Sequence, residues 1–109
     1  MSLDLPGAIA SYIAAENLGD ADAVARCFSA QAIVRDERQT FTGLAAIRQW
    51  KAETTKKYRH SIEPLRVARE GGKTIVTSRL SGDFPGSPIE LRFVFALEGD
   101  RIASLEIRQ

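Results

Sequence analysis

Tyr12 and Asp36 are the residues whose type and position suit proton chemistry. Tyr12 falls on the apolar stripe of a predicted helix, with Leu5, Ile9 and Ile13 at helical spacing. Asp36 closes the apolar run Ala32-Ile33-Val34, after Arg35. A carboxyl drawn into an apolar pocket loses solvation, so its pKa rises toward the range where it can exchange a proton. A phenol is a hydrogen-bond donor that stabilises negative charge on a nearby oxygen. Neither side chain needs a cofactor for this, and none is expected. Each also has a structural reading. Tyr12 suits a core aromatic whose hydroxyl finds a partner. Asp36 suits a turn residue in Arg35-Asp36-Glu37-Arg38, paired with an arginine in solvent.

The other reactive types point less clearly to a site. His60 is the single histidine, either a pocket acid or base or a surface residue near Lys57 and Arg59. Cys27 is the single cysteine, which rules out an internal disulfide and reads as a small buried hydrophobe. The two lie far apart in sequence with no ligand spacing around them, so no metal site is expected. Lys56, Lys57 and Arg59 read as cations completing a helix C-terminus. Gly71-Gly72 and Pro85-Gly86 read as turns rather than phosphate loops, because no helix start follows either.

The elements that must position these residues fit one domain spanning residues 1–109. The chain is 44% hydrophobic and 27% charged, enough for a core without disulfides or metal. Fifteen basic and 14 acidic residues leave a net charge of +1, which gives no reason to expect nucleic acid or an anionic membrane as partner. No apolar run reaches the roughly 20 residues that span a bilayer, and no basic segment precedes an apolar one at the N-terminus. A cytoplasmic location is the expectation.

Asp4 is expected to cap a first helix that tolerates Pro6 and stops at Gly19. Asp20 is expected to cap a second, with Val24, Cys27 and Phe28 as its stripe. A short strand, Ala32 to Asp36, pairs with Thr40 to Thr42. A third helix follows Gly43, with Leu44, Ile47, Trp50, Thr54 and Tyr58 inward. Four strands then run from Ser61 to Glu70, Lys73 to Phe84, Ile89 to Leu97 and Arg101 to Ile107, with an edge position or bulge at Pro64. Helices before strands make an α+β fold. A sheet with one apolar face needs a cover, and a bent sheet under helices leaves a hollow. Val94 and Ala96 interrupt the charges on the outer face of the Ile89 to Leu97 strand, so a homodimer through that face is expected.

This α-α-β-β-α-β-β-β-β order resembles the cone of the nuclear transport factor 2 (NTF2-like) superfamily and, more narrowly, its SnoaL-like branch. The marks are Tyr12-Ile13, then Asn17-Leu18-Gly19-Asp20-Ala21-Asp22-Ala23, Ala32-Ile33-Val34-Arg35-Asp36, Thr42-Gly43-Leu44-Ala45-Ala46-Ile47-Arg48 and Gly99-Asp100-Arg101-Ile102. The resemblance covers nearly the whole chain. It implies a cystatin-like cone: three N-terminal helices on a curved, mostly antiparallel sheet around a hydrophobic pocket. In the ketosteroid isomerases of the superfamily, a tyrosine on the first helix and an aspartate on the matching strand face that pocket. Tyr12 and Asp36 fall at those places, so the resemblance implies a hydrogen-bond donor and a general base. The implied pocket residues are Phe41, Trp50, Tyr58, Leu91, Phe93 and Phe95. Those isomerases carry a second acid on a late strand; here Leu91, Phe93 and Phe95 take the inward positions, with Glu90 and Glu98 on the other face. The Asp-Arg-Asp set of limonene epoxide hydrolases is approached only by Arg79 and Asp83, with Ser81 where a carboxylate belongs.

Two functions follow as expectations. One is a cofactor-independent isomerase, lyase or cyclase acting on a small apolar carbonyl compound. The other is a ligand-binding or dimerisation domain without chemistry, because the fold hosts both.

Overall fold

The computed structural model describes residues 3–109. Helices α1 (Gly7–Leu18), α2 (Ala21–Arg26) and α3 (Leu44–Lys57) accompany strands β1 (Phe28–Asp36), β2 (Gln39–Thr42), β3 (His60–Glu70), β4 (Lys73–Gly82), β5 (Ile89–Glu98) and β6 (Arg101–Arg108). The strands form one sheet in the order β2-β1-β6-β5-β4-β3. Neighbours are antiparallel except β1 and β6, which run parallel and join the first half of the chain to its last strand. Register shifts between Pro64 and Arg66, between Ala96 and Leu97, and between Phe28 and Ile33 bend the sheet. It curves without closing, and the helices supply the cover that its apolar face requires.

The core lies between these layers. Ile9 and Tyr12 of α1, Val24 of α2 and Ile47 of α3 meet Val34, Val76, Phe95, Ile102 and Leu105 of the strands. Tyr12 packs edge-on against both Phe28 and Phe95. Gly19 ends α1 with φ 69°, a conformation that costs glycine little. Asp20 caps α2 through its carboxylate, which accepts from the Ala23 N–H at 3.1 Å.

Some element boundaries differ from the sequence reading. Asp4 does not cap α1; Pro6 stands at the cap position, and no side chain bonds there. Cys27 and Phe28 are not part of a helical stripe. Strand β1 starts at Phe28 because that residue pairs with Ile102 and the Cys27 carbonyl accepts the Ile102 N–H at 2.8 Å. Tertiary pairing here outweighs local helical pattern. β4 stops at Gly82 instead of Phe84. A Cβ at Gly82 would lie 2.1 Å from the Arg59 carbonyl oxygen, so only glycine lets β4 pass so near the start of β3. That contact sets the position of His60, which pairs with Gly82.

Candidate active site

A cavity of about 600 Å³ opens between α3 and the sheet. Ile62, Leu80, Ile89, Leu91, Phe93 and Ile107 supply its apolar wall. Asp36, Glu16, Lys51 and His60 also line it, joined into one polar group through Trp50.

Trp50 is the centre of that group. Its indole Nε1–H donates to Asp36 Oδ2 at 3.1 Å. The Lys51 ammonium lies 4.1 Å from the centroid of the same ring. One indole therefore carries an acid on its edge and a cation over its face. Both residues sit in the middle of α3, and Asp36 is the last residue of β1.

Lys51 is 3% exposed and Glu16 is 2% exposed, an ion pair almost fully withdrawn from water with Nζ 2.8 Å from Oε1. His60 Nε2 reaches the same oxygen at 2.9 Å. The Tyr12 hydroxyl donates to the other oxygen, Oε2. Burial alone would raise the Glu16 pKa. The Lys51 charge and the hydrogen bonds from His60, Lys51 and Tyr12 reverse that and hold it at about 2. Glu16 is thus an anion, and its partners are fixed around it. Burial pushes the Tyr12 phenol well above its usual range, and the Glu16 charge pushes it further, so Tyr12 remains a neutral donor.

Asp36 behaves in the opposite sense. Loss of solvation raises its pKa; the Trp50 hydrogen bond and the Lys51 charge oppose the rise, while Glu37 and Glu16 add to it. The result is a carboxyl above its ordinary range, half-buried at the cavity wall.

Of the eight residues expected to act in or line the pocket, five line the cavity: Asp36, Trp50, Tyr58, Leu91 and Phe93. Tyr12, Phe41 and Phe95 are not among its walls. Tyr12 is completely buried beneath the cavity residues, with its hydroxyl on Glu16 instead of in the open space. Phe95 packs against Tyr12 because the apolar face of β5 is longer than the cavity, and its far end joins the closed core. Phe41 packs on Trp50 with ring centroids 5.8 Å apart. His60, open from the sequence between a pocket acid or base and a surface residue, is half-buried, lines the cavity and touches Glu16. Among the described residues, no group of three or more His, Cys, Asp or Glu is placed to hold a metal ion.

Glu16 and Lys51 escaped the sequence reading. A signal for Glu16 was present: it continues the stripe Ile9, Tyr12 and Ile13 at the next helical step, where a carboxylate needs an interior partner. Lys51 lies four residues after Ile47, on the same helix face. Charge type concealed both.

A family model described as the SnoaL-like domain matches residues 9–105. The chain belongs to this SnoaL-like family. Among solved structures, a proposed polyketide cyclase from Sinorhizobium meliloti is 37% identical, with 99% of each chain covered and a TM-score of 0.92. A hypothetical protein with a ketosteroid isomerase-like fold from Catenulispora acidiphila, in complex with trimethylamine, is 20% identical; the match covers 97% of this chain and 87% of that one, with a TM-score of 0.85. An uncharacterised cystatin-fold protein from Novosphingobium aromaticivorans is 18% identical over 99% of this chain and 100% of that one, at a TM-score of 0.80. No curated protein matches. The SnoaL-like fold, an NTF2-like cone with cystatin-like topology, is therefore the architecture that surrounds Asp36 and its neighbours.

Proposed function

We propose that this SnoaL-like chain is a cofactor-independent enzyme of the isomerase, lyase or cyclase type, with Asp36 as its general base. The substrate is a small, mostly apolar carbonyl compound. The observation that carries the reading is Asp36 itself: a carboxyl raised by lost solvation, oriented by the Trp50 N–H, at the wall of a cavity with one broad apolar side. The proposed polyketide cyclase at 37% identity supports it, since cyclisation of a polyketide proceeds through carbanions next to carbonyls.

In this reading Asp36 removes a proton from carbon adjacent to the carbonyl. The electron pair of the C–H bond moves into the enolate, and the proton returns to carbon or oxygen later in the turnover. A raised carboxyl pKa brings the base nearer to its target and strengthens the transfer. Tyr12, expected from the family resemblance to donate to substrate, serves here by holding Glu16.

The test is deuterium incorporation. Cyclic β,γ-unsaturated ketones and 1,3-dicarbonyl compounds are incubated with the protein in deuterated water, and label at the α carbon is followed by mass spectrometry. Asp36→Asn keeps the hydrogen-bonding shape and removes the base. The expected loss of enzyme-dependent exchange is about 10²–10⁴-fold. Equal exchange in the two proteins would leave a ligand-binding domain without chemistry as the function of this cavity.

A further inference from the structure

We propose that Lys51 is the oxyanion-binding group of this cavity: its ammonium, fixed between Glu16 and the face of Trp50, receives the substrate's carbonyl oxygen while Asp36 on the same indole faces the adjacent carbon. The inference rests on the reading of Asp36 as base and adds what that reading lacks, a partner for the negative charge created on oxygen.

Four observations carry it. Lys51 is withdrawn from water yet lines the cavity. Glu16 is the only carboxylate within 4 Å of its nitrogen among the described residues, and the contacting oxygen is shared with His60. An ammonium has three N–H bonds, and one shared oxygen accepts one of them. Trp50 fixes the ammonium over its face and Asp36 at its edge, which sets the separation of cation and base. Tyr12 cannot take the role, since it has no exposed surface and its hydroxyl is committed to Glu16.

The charge balance is consistent with this. Before reaction the polar group holds the Asp36 and Glu16 carboxylates against Lys51, with His60 beside them. When Asp36 takes the proton it becomes neutral, and the negative charge reappears on the enolate oxygen. That charge then faces an ammonium already desolvated and already oriented, so little reorganisation is needed as it develops. Glu16 anchors the Lys51 side chain through its 2.8 Å ion pair and is a positioning residue. The substrate class narrows accordingly. It is a carbonyl compound with an ionisable α C–H, whose carbonyl oxygen is reached from the apolar side by Lys51 and whose body lies against Ile62, Leu80, Leu91 and Phe93.

The test uses 2-naphthol, an apolar two-ring phenol whose ionised form imitates the enolate and absorbs at longer wavelength. The background is Asp36→Asn, where the neutral side chain imitates the protonated base. The expected result is that bound naphthol is ionised at a pH where free naphthol is not. Adding Lys51→Met with Glu16→Gln, which removes the cation without stranding its partner, lowers the bound ionised fraction at least tenfold. Circular dichroism confirms that the triple variant is folded. In parallel, the ¹⁵N resonance of the Lys51 ammonium in the Asp36→Asn protein is expected to shift when naphthol binds. Absence of naphthol binding, an unchanged Lys51 resonance, or full naphtholate binding in the folded triple variant would each overturn the inference. The Asp36 reading is judged separately by deuterium exchange, so either can fail while the other stands.

Discussion

Asp36 and Lys51 are held by one residue, Trp50, which gives its N–H to the first at 3.1 Å and its ring face to the second at 4.1 Å. An acid with a raised pKa and a buried, ion-paired amine are thereby kept at fixed positions in one cavity.

The Trp50 bond lowers the Asp36 pKa against the effect of burial. Trp50→Phe keeps an aromatic face for Lys51 and deletes the donor. Its expected effects are a further rise in the Asp36 pKa, seen by NMR titration, and a loss of about 1–3 kcal/mol in stability by urea denaturation.

The Lys51–Glu16 pair predicts strong coupling. Lys51→Met leaves a buried carboxylate without its cation, and Glu16→Gln leaves a buried ammonium without its anion. Each is expected to cost about 3–5 kcal/mol. The double variant is expected to recover much of that loss, because no isolated charge remains. A double-mutant cycle by chemical denaturation measures the coupling.

Acid stability depends on the same residue. Glu16 has a folded pKa of about 2 against an ordinary 4.5, so it binds protons more weakly when folded. Its contribution to stability is complete above about pH 4.5 and is lost as pH falls toward 2. Asp36 works the other way: its raised pKa makes ionisation costly, so its protonated form favours folding and that benefit disappears as pH rises through the folded pKa. Asp36→Asn is therefore expected to raise the melting temperature at pH 7 by a few degrees, on the order of 4 °C. Thermal melts from pH 2 to 7 check both statements.

A homodimer through the outer sheet face is a further expectation. On β5 that face carries Glu90 and Arg92 beside the half-buried Ala96. Val94 is already buried within one chain, so the exposed part of this face includes Ala96, Arg92 and the charged pairs Arg66–Glu90 and Arg79–Glu63. Sedimentation at micromolar concentration is expected to give twice the mass of one chain, and Ala96→Glu is expected to shift it to one.

Much of the architecture could be read from the sequence, because the clues were local. Gly19 and Asp20 mark a helix stop and start. Gly71-Gly72 marks the β3–β4 turn, and Ile89, Leu91, Phe93, Phe95 and Leu97 recur at every second position of β5. The pairing of Phe28 with Ile102 was not readable, since nothing near Phe28 distinguishes a strand start from a helix end. The site divided along the same line. Asp36 and Trp50 were marked by type and position, whereas Glu16, Lys51 and His60 are charged or polar residues that ordinarily face water. Only their mutual contacts, made across 35 to 44 residues of chain, bring them inside. Tyr12 was placed on the correct helix face, but the partner of its hydroxyl depended on Glu16, one turn farther along.

The most direct measurement is the pKa of the Asp36 carboxyl, by ¹³C NMR titration of the intact protein. The expected value is clearly above the ordinary 3.8 and rises further in Trp50→Phe. A value at or below 3.8 in both proteins would mean that the carboxyl is well solvated, and would contradict its role as the base of this cavity.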